Sequence, residues 1–104
     1  YDKELIIPES GLEDLRPYLD TVQDYLGFII KHMNQHLSSE EMQQAIALEE
    51  EVDRYRNTLQ KAARKRIKAG SDVKAELLYM DMVRHIEKIG DLLLNIAQAL
   101  RAIQ

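Results

Sequence analysis

The sequence contains no cysteine and no tryptophan, and only two prolines, four glycines, five tyrosines and one phenylalanine. Without cysteine, neither disulfide bonds nor thiolate metal sites can form. So few glycines, prolines and aromatic residues argue against a fold of many short strands and turns. No stretch approaches the roughly 18 apolar residues of a membrane-spanning helix, and no signal peptide is visible. These absences disfavour a turn-rich β fold, a disulfide scaffold and a membrane-spanning segment within the sequence.

The composition is that of one compact domain, so residues 1–104 are expected to fold as a single unit. Hydrophobic residues make up 45% and charged residues 31%, which suits a helical bundle with a solvated exterior. A net charge of −4 does not favour nucleic-acid binding, which needs a basic face across the domain.

One segment is locally basic, and it has three interpretations: a solvated helix end, a contact with an anionic membrane surface, or a site for a phosphate-bearing partner. Its cationic residues are Lys61, Arg64, Lys65, Arg66 and Lys68.

Apolar residues recur in steps of three and four along three stretches, the spacing typical of amphipathic helices. The pattern predicts helices over about 10–37, 39–69 and 72–103, joined by short turns. The predicted fold is therefore all-α, an up-down-up antiparallel three-helix bundle. The predicted core stripe of the first helix is Leu12, Leu15, Leu19, Val22, Leu26, Ile29 and Met33. That of the third is Tyr79, Met82, Ile86, Ile89, Leu93, Ile96, Leu100 and Ile103.

Local signals mark the helix ends. Capping boxes of the form Ser-x-x-Glu start at Ser10 and at Ser38, each just before an apolar stripe. Gly70 follows the basic segment, as is typical of a helix C-terminus, and Ser71 or Asp72 is expected to cap the third helix.

Two acidic pairs lie in mirrored positions about Gly70. Glu49 and Asp53 precede it by 21 and 17 residues, and Glu87 and Asp91 follow it by 17 and 21. If Gly70 is the turn of an antiparallel helical hairpin, four carboxylates lie at one height on neighbouring helices. Such oxygen ligands suit hard or borderline cations. The pattern therefore predicts a metal site.

The predicted core stripe also predicts where this site lies. With Ile86 and Ile89 in the seam, Glu87, Asp91 and Asp53 point away from the core and Glu49 lies at its flank. The site would then be an exposed groove. An ordinary alternative stays open, in which nearby cations neutralise the acids as salt bridges. Those cations are Arg54, Arg56, Arg84 and Lys88.

Other candidate ligands are separate from these pairs. His32 and His36 have a spacing that can bind metal, but they are expected near the first turn. Asp20 and Asp24 repeat the acidic spacing and are interpreted mainly as solvated residues, as is His85. No Glu-x-x-His, HExxH, phosphate-binding loop or nucleophile–base pattern occurs. No catalytic or organic-cofactor residue is predicted, and the protein is not expected to be an enzyme.

A family resemblance enters through residues 84–91 (Arg-His-Ile-Glu-Lys-Ile-Gly-Asp) followed by Asn-Ile-Ala at 95–97. This stretch resembles the third-helix signature of PhoU-like domains, with Lys88 in place of the usual arginine. Residues 49–53 (Glu-Glu-Glu-Val-Asp) resemble the acidic element of that family's second helix. The resemblance implies a surface-bound multinuclear cluster of iron or zinc, held here by Glu49, Asp53, Glu87 and Asp91.

The chain resembles a single three-helix repeat, whereas full PhoU proteins have two. A single repeat is similar to the C-terminal cytoplasmic domain of bacterial sodium–phosphate cotransporter family proteins. This implies a regulatory domain on the cytoplasmic face of the cell membrane. The chain begins without methionine, and we expect it to be a piece of a longer membrane protein.

The third helix also carries surplus apolar residues, which predict either self-association or docking on the membrane part of the parent protein. These residues are Met80, Val83, Leu92 and Leu94. Two alternatives to the regulatory function remain open: a structural oligomerisation module whose acids form only salt bridges, and a carboxylate-bridged metal enzyme.

Overall fold

The protein is a bundle of three long helices in the computed structural model, which describes residues 7–103. Helix α1 spans Glu9–Lys31, α2 spans Ser39–Lys68 and α3 spans Val73–Ala102. The described part of the chain contains no strand, which confirms the predicted all-α, three-helix bundle. The predicted domain also included residues 1–6 and 104, which lie outside the described residues.

The second of the two predicted capping boxes is confirmed. The Ser38 hydroxyl accepts from the backbone N–H of Glu41 at 3.1 Å, and the Glu41 carboxylate accepts from the N–H of Ser38 at 2.9 Å. The prediction of a cap at Ser10 is wrong, because α1 already begins at Glu9 after Pro8. The carbonyl of Pro8 accepts the first helical hydrogen bonds, and no side chain caps this end.

Gly70 makes the turn between α2 and α3, as predicted. Its φ of +103° lies in the left-handed region that favours glycine. The N–H of Ser71 donates to the carbonyl of Arg66 at 2.9 Å, and that of Gly70 donates to Ile67 at 3.0 Å. These two bonds form a Schellman motif, which reverses the chain within four residues. Asp72 then caps α3 by accepting from the N–H of Lys74 at 3.0 Å.

We predict opposite effects for the same substitution at two glycines. Gly70→Ala should cost about 1–2 kcal/mol, because a Cβ is strained in the left-handed region. Gly27→Ala should instead stabilise by about 0.5–1 kcal/mol, because Gly27 lies inside α1 with nothing within 4 Å of an added Cβ. Urea unfolding of both variants measures the difference. Equal effects would contradict the assigned turn.

Helix α1 ends six residues earlier than predicted, at Lys31 rather than residue 37. Leu37 continued the apolar pattern, yet it is buried from an irregular connection rather than from a helix. Its N–H donates to the carbonyl of Leu100, and Arg101 donates to the carbonyl of Leu37 at 3.0 Å. The chain therefore leaves the helix to close the end of the bundle against α3.

The predicted core stripes of α1 and α3 are confirmed in part. Leu15, Val22 and Ile29 are buried as predicted, and so are Tyr79, Leu93 and Leu100, but positions between them are wrong. On α3 the seam residues are Gly90 and Ala97, whereas Ile89 and Ile96 are 44% and 36% exposed. On α1 two tyrosines replace the predicted leucines: Tyr18 and Tyr25 are fully buried, and Leu19 and Leu26 are not. The residues that do form the core are Leu15, Tyr18, Val22, Tyr25, Ile29, Leu37, Ala45, Val52, Leu59, Ala63, Tyr79, Val83, Leu93, Ala97 and Leu100.

The surplus apolar surface of α3 differs accordingly. Val83 belongs to the core, while Leu92 is 61% exposed. The large apolar residues of α3 that remain exposed are Val73, Leu77, Leu78, Ile89, Leu92 and Ile96. In the described part of the chain, no helix is both long and apolar enough to span a membrane.

Candidate metal centre

Four carboxylates from two helices meet at one height, as the symmetry about Gly70 predicted. Glu49 and Asp53 come from α2, and Glu87 and Asp91 come from α3. One oxygen of each lies within 4.8 Å of the others. Antiparallel helices joined by a tight turn keep residues equidistant from that turn side by side, and this register brings the two pairs together.

The depth of this acidic cluster differs from the prediction. Glu49 was expected at the flank of the core but is only 8% exposed. The side chain of Glu87 is 12% exposed, Asp53 is half-buried, and Asp91 is exposed. The prediction of an exposed groove between α2 and α3 is therefore confirmed at Asp91 and wrong at Glu49 and Glu87, which lie deeper. The cluster is a graded cleft with Glu49 at its base and Asp91 at its mouth.

Gly90 explains this depth. Because it lies in the α3 seam, α3 presents bare backbone to α2 at the height of Glu49. A Cβ at Gly90 would meet Oε1 of Glu49 at 3.1 Å and Cγ1 of Val52 at 3.2 Å. Both distances are tighter than ordinary contact, so the Glu49 side chain occupies space that any other residue at position 90 would fill.

Burial and crowding among the acids raise the pKa values of two of them. Burial raises the pKa of the Glu49 carboxyl to about 8, helped by a hydrogen bond with Asp91 and by the charge of Asp53. Burial also raises the pKa of Glu87, although the charge of Arg56 opposes this shift. Without a cation, the cluster therefore holds a proton at neutral pH because its carboxylates cannot all ionise cheaply.

One cation from the protein reaches the cluster. Nη1 of Arg56 lies 3.1 Å from Oε2 of Glu87, across the α2–α3 interface. Arg84, one of the partners proposed from sequence, pairs with Asp81 instead. Within residues 7–103, the Arg56–Glu87 pair is the only salt bridge to the four acids, so most of the negative charge is not balanced.

Several buried oxygens of the cleft have no hydrogen-bond partner in the described part of the protein. They are Oε1 of Glu49, Oδ1 of Asp53 and the hydroxyl of Tyr25. Buried polar atoms in native proteins are nearly always paired. The two unpartnered carboxylate oxygens belong to an all-oxygen donor set, which fits a hard or borderline cation such as iron, zinc or manganese.

Sequence reasoning missed the burial of two tyrosines on α1. Tyr18 and Tyr25 are seven residues apart, a spacing that places both on one face of α1. Burial raises the pKa of each above its ordinary value, and the strongest charged contribution comes from Glu87 for Tyr18 and from Glu49 for Tyr25. The heptad spacing of these tyrosines was the available signal.

The other sequence candidates lie elsewhere. His32 is near the α1–α2 connection, with Nε2 3.2 Å from the Glu41 carboxylate. His36 is close to Arg101 in the same region, so both histidines are remote from the acids, as expected. Asp20 and Asp24 are exposed.

The predicted basic surface is wrong at one residue, Arg66. It was counted among the cations available to an anionic membrane, but its guanidinium bonds twice to the fully buried Glu76, at 2.8 and 2.9 Å. The remaining cations of that surface are exposed: Lys61, Arg64, Lys65 and Lys68.

The described residues thus form an antiparallel three-helix bundle in which four carboxylates converge between the second and third helices. The family model for the PhoU domain matches residues 18–100, and the chain belongs to that family. Searches of curated proteins and of solved structures found no match. PhoU domains are a regulatory, non-enzymatic family, and membership indicates a regulatory role in phosphate homeostasis.

Proposed function

We propose that this protein is a non-enzymatic regulatory domain that binds iron or zinc at Glu49, Asp53, Glu87 and Asp91. The observation that carries the proposal is the convergence of these four carboxylates within 4.8 Å, with buried oxygens that lack partners. Like charges four residues apart on one helix repel each other. A bound cation turns this repulsion into attraction, since it gives each oxygen a partner.

The four carboxylates differ in burial, so each would contribute differently to binding a cation. Glu49, at the base of the cleft, and Asp53 supply the buried, unpartnered oxygens, so they would hold a cation away from solvent. Asp91, at the exposed mouth, would complete the coordination from α3. Glu87 is shared with Arg56, which keeps one positive charge beside the site. More than one ion can be held only if Arg56 releases Glu87.

The transport setting is part of the same proposal. As a single PhoU repeat, the domain would regulate a sodium-dependent phosphate transporter from the cytoplasmic face of its membrane. The exposed cations Lys61, Arg64, Lys65 and Lys68 support a contact with anionic lipid. The exposed apolar residues of α3 support docking on the transporter or on a second copy of the domain.

A structural module without metal is a second candidate, and one observation favours it. The Arg56–Glu87 pair and the proton held by Glu49 already reduce the charge of the cluster. In that case the acids would serve only to hold α2 and α3 together, and oligomerisation of the domain would not respond to a chelator.

Metal analysis of protein purified without chelator separates these candidates. We expect bound iron or zinc in the native protein and its loss in a Glu87→Ala, Asp91→Ala double variant, which removes the α3 half of the site. The matched control is Asp20→Ala, Asp24→Ala, which removes an exposed acidic pair of equal spacing. In the parent transporter, the cluster variant should also change phosphate uptake.

Equal, near-zero metal in all three proteins, with no Zn²⁺ binding by calorimetry, would reject the metal site. Unchanged phosphate uptake in the cluster variant would reject its regulatory role.

A further inference from the structure

Tyr25 differs from the other buried tyrosines of the bundle. Tyr18, Tyr25 and Tyr79 are all fully buried. The hydroxyl of Tyr18 donates to the carbonyl of Val83 at 2.9 Å, and that of Tyr79 donates to the carbonyl of Gly11 at 3.0 Å. Among residues 7–103, no such carbonyl meets Tyr25, and its hydroxyl is unpartnered. A packing role alone would be served by phenylalanine, without a buried polar atom.

The surroundings of this hydroxyl are the acidic cluster. Seven residues before Tyr25, the Tyr18 hydroxyl bonds to Val83 of α3. Because α1 and α3 run in the same direction in this bundle, Tyr25 lies two turns further along α3, at the height of Gly90. Oε1 of Glu49 fills the space on α2 beside Gly90. Glu49 is itself buried and leaves Oε1 unpartnered. A donor and an acceptor therefore lie at the base of the same cleft, each without a partner. Leaving a buried polar group unpaired costs about 1–3 kcal/mol.

A bound cation would give both the Tyr25 hydroxyl and the Glu49 carboxylate a partner. Metal ligands must be deprotonated, so a Glu49 that binds an ion is a carboxylate with a second oxygen able to accept. Hydrogen bonds from a neutral donor to a carboxylate are roughly twice as strong as those between neutral groups. A tyrosine hydroxyl has an ordinary pKa of about 10, so at neutral pH it carries its proton and can act as the donor.

We propose that Tyr25 is a positioning residue of the metal centre, where its hydroxyl donates to the Glu49 carboxylate when that carboxylate binds a cation. This inference rests on the proposed metal site. Its consequence is that the centre involves three helices, because Tyr25 lies on α1 whereas the four acids lie on α2 and α3. Occupancy of the site then tightens α1 against the α2–α3 hairpin.

Two tyrosine-to-phenylalanine variants test this role, and each removes one oxygen from a buried ring. Zn²⁺ affinity is measured by calorimetry, and stability by urea unfolding in EDTA. For Tyr25→Phe we expect a 10- to 100-fold loss of Zn²⁺ affinity, the usual effect of removing a hydrogen bond to a metal ligand. Its stability in EDTA should be unchanged or higher, because an unpaired hydroxyl is gone.

Tyr18→Phe should give the opposite pattern, because its hydroxyl already donates to Val83. It should lower stability in EDTA and leave Zn²⁺ affinity within about threefold of the native value. Native Zn²⁺ affinity in Tyr25→Phe would overturn the inference while leaving the metal site intact. Absence of Zn²⁺ binding in the native protein would instead overturn the proposed function.

Loading with ferric iron distinguishes donation from direct ligation. A neutral donor gives no visible phenolate-to-iron charge-transfer band, and this is the expected result. A band that disappears in Tyr25→Phe would overturn the donor role, because it would show the oxygen bound to the metal.

Discussion

Glu76→Ala should destabilise the bundle by about 3–5 kcal/mol, the usual result of breaking a buried ion pair from one side. Glu76 is fully buried. Its two carboxylate oxygens accept from Nε and Nη2 of Arg66, at 2.8 and 2.9 Å, and from the Ser71 hydroxyl at 2.7 Å. Without Glu76, the guanidinium of Arg66 stays largely buried with no counter-charge.

The Arg66–Glu76 pair also connects all three helices at the Gly70 end. The guanidinium lies over the ring of Tyr79, 4.9 Å from its centroid. A Cβ at Gly11 would meet Nη2 of Arg66 at 3.0 Å, so α1 approaches closely only because residue 11 is glycine. Tyr79 in turn donates to the Gly11 carbonyl. Loss of Glu76 should therefore loosen α1 as well as the hairpin.

Urea unfolding at neutral pH measures this effect, with Glu13→Ala as the control because Glu13 is exposed. The control should change stability by no more than about 0.5 kcal/mol. A double variant, Arg66→Met with Glu76→Leu, should recover most of the loss, because paired apolar residues leave no buried charge. A loss below about 1 kcal/mol in Glu76→Ala would contradict the buried pair.

The Arg66–Glu76 pair should also make the stability of the protein depend on pH. The bonds from Arg66 lower the pKa of Glu76 below its ordinary value of 4.5. A carboxyl with a lowered folded-state pKa contributes stability that is present above its unfolded pKa and is lost as the pH falls through the folded value. The native protein should therefore lose this contribution in acid below about pH 4.5, whereas Glu76→Ala has none to lose.

The helices and turns could be predicted because their signals are local. Ser38 with Glu41 and Gly70 each determine backbone geometry within a few residues, and all of them form as expected. The first helix shows the limit of this reasoning. Leu37 fits a helical repeat, but its burial depends on Leu100 and Arg101, which lie more than 60 residues further along the chain.

The pairing of the acids could be predicted, but their depth could not. Distance from Gly70 sets the register of an antiparallel hairpin, so Glu49 was correctly placed opposite Asp91. Depth depends on which face of α3 meets α2, and large apolar residues suggested Ile89. The helices instead meet at Gly90, because a residue without a side chain lets two backbones approach closely. A search for large apolar residues at helical spacing passes over glycine and alanine.

Glu49→Gln should change the sign of its effect when metal is added. In the metal-free native protein, the pKa of Glu49 is about 8 against an ordinary value of 4.5. A raised folded-state pKa means that stability is greatest below the unfolded value and is lost as the pH rises to the folded one. Between about pH 4.5 and 8, each pH unit should cost up to about 1.4 kcal/mol.

Glutamine has nearly the same shape as glutamate and does not ionise, so Glu49→Gln removes this loss. In EDTA at pH 9, the variant should therefore be more stable than the native protein, and at pH 4 the two should be similar. Asp20→Asn, at an exposed acid on α1, is the control and should show no such divergence. Urea unfolding across this pH range gives the comparison.

With Zn²⁺ at about 100 times its dissociation constant, the native protein should gain about 2.7 kcal/mol, because the ion binds only the folded state. Glu49→Gln should gain much less, since a neutral amide at the base of the cleft is a poorer ligand than a carboxylate. The reversal follows from one cause, the crowding of Glu49 with Asp53, Glu87 and Asp91. This crowding lowers the stability of the metal-free protein and raises its affinity for a cation.

If the variant is more stable in EDTA and gains as much from Zn²⁺ as the native protein, the cluster is crowded but Glu49 is not a ligand. If the two proteins have equal stability in EDTA at every pH, Glu49 does not titrate as its burial implies.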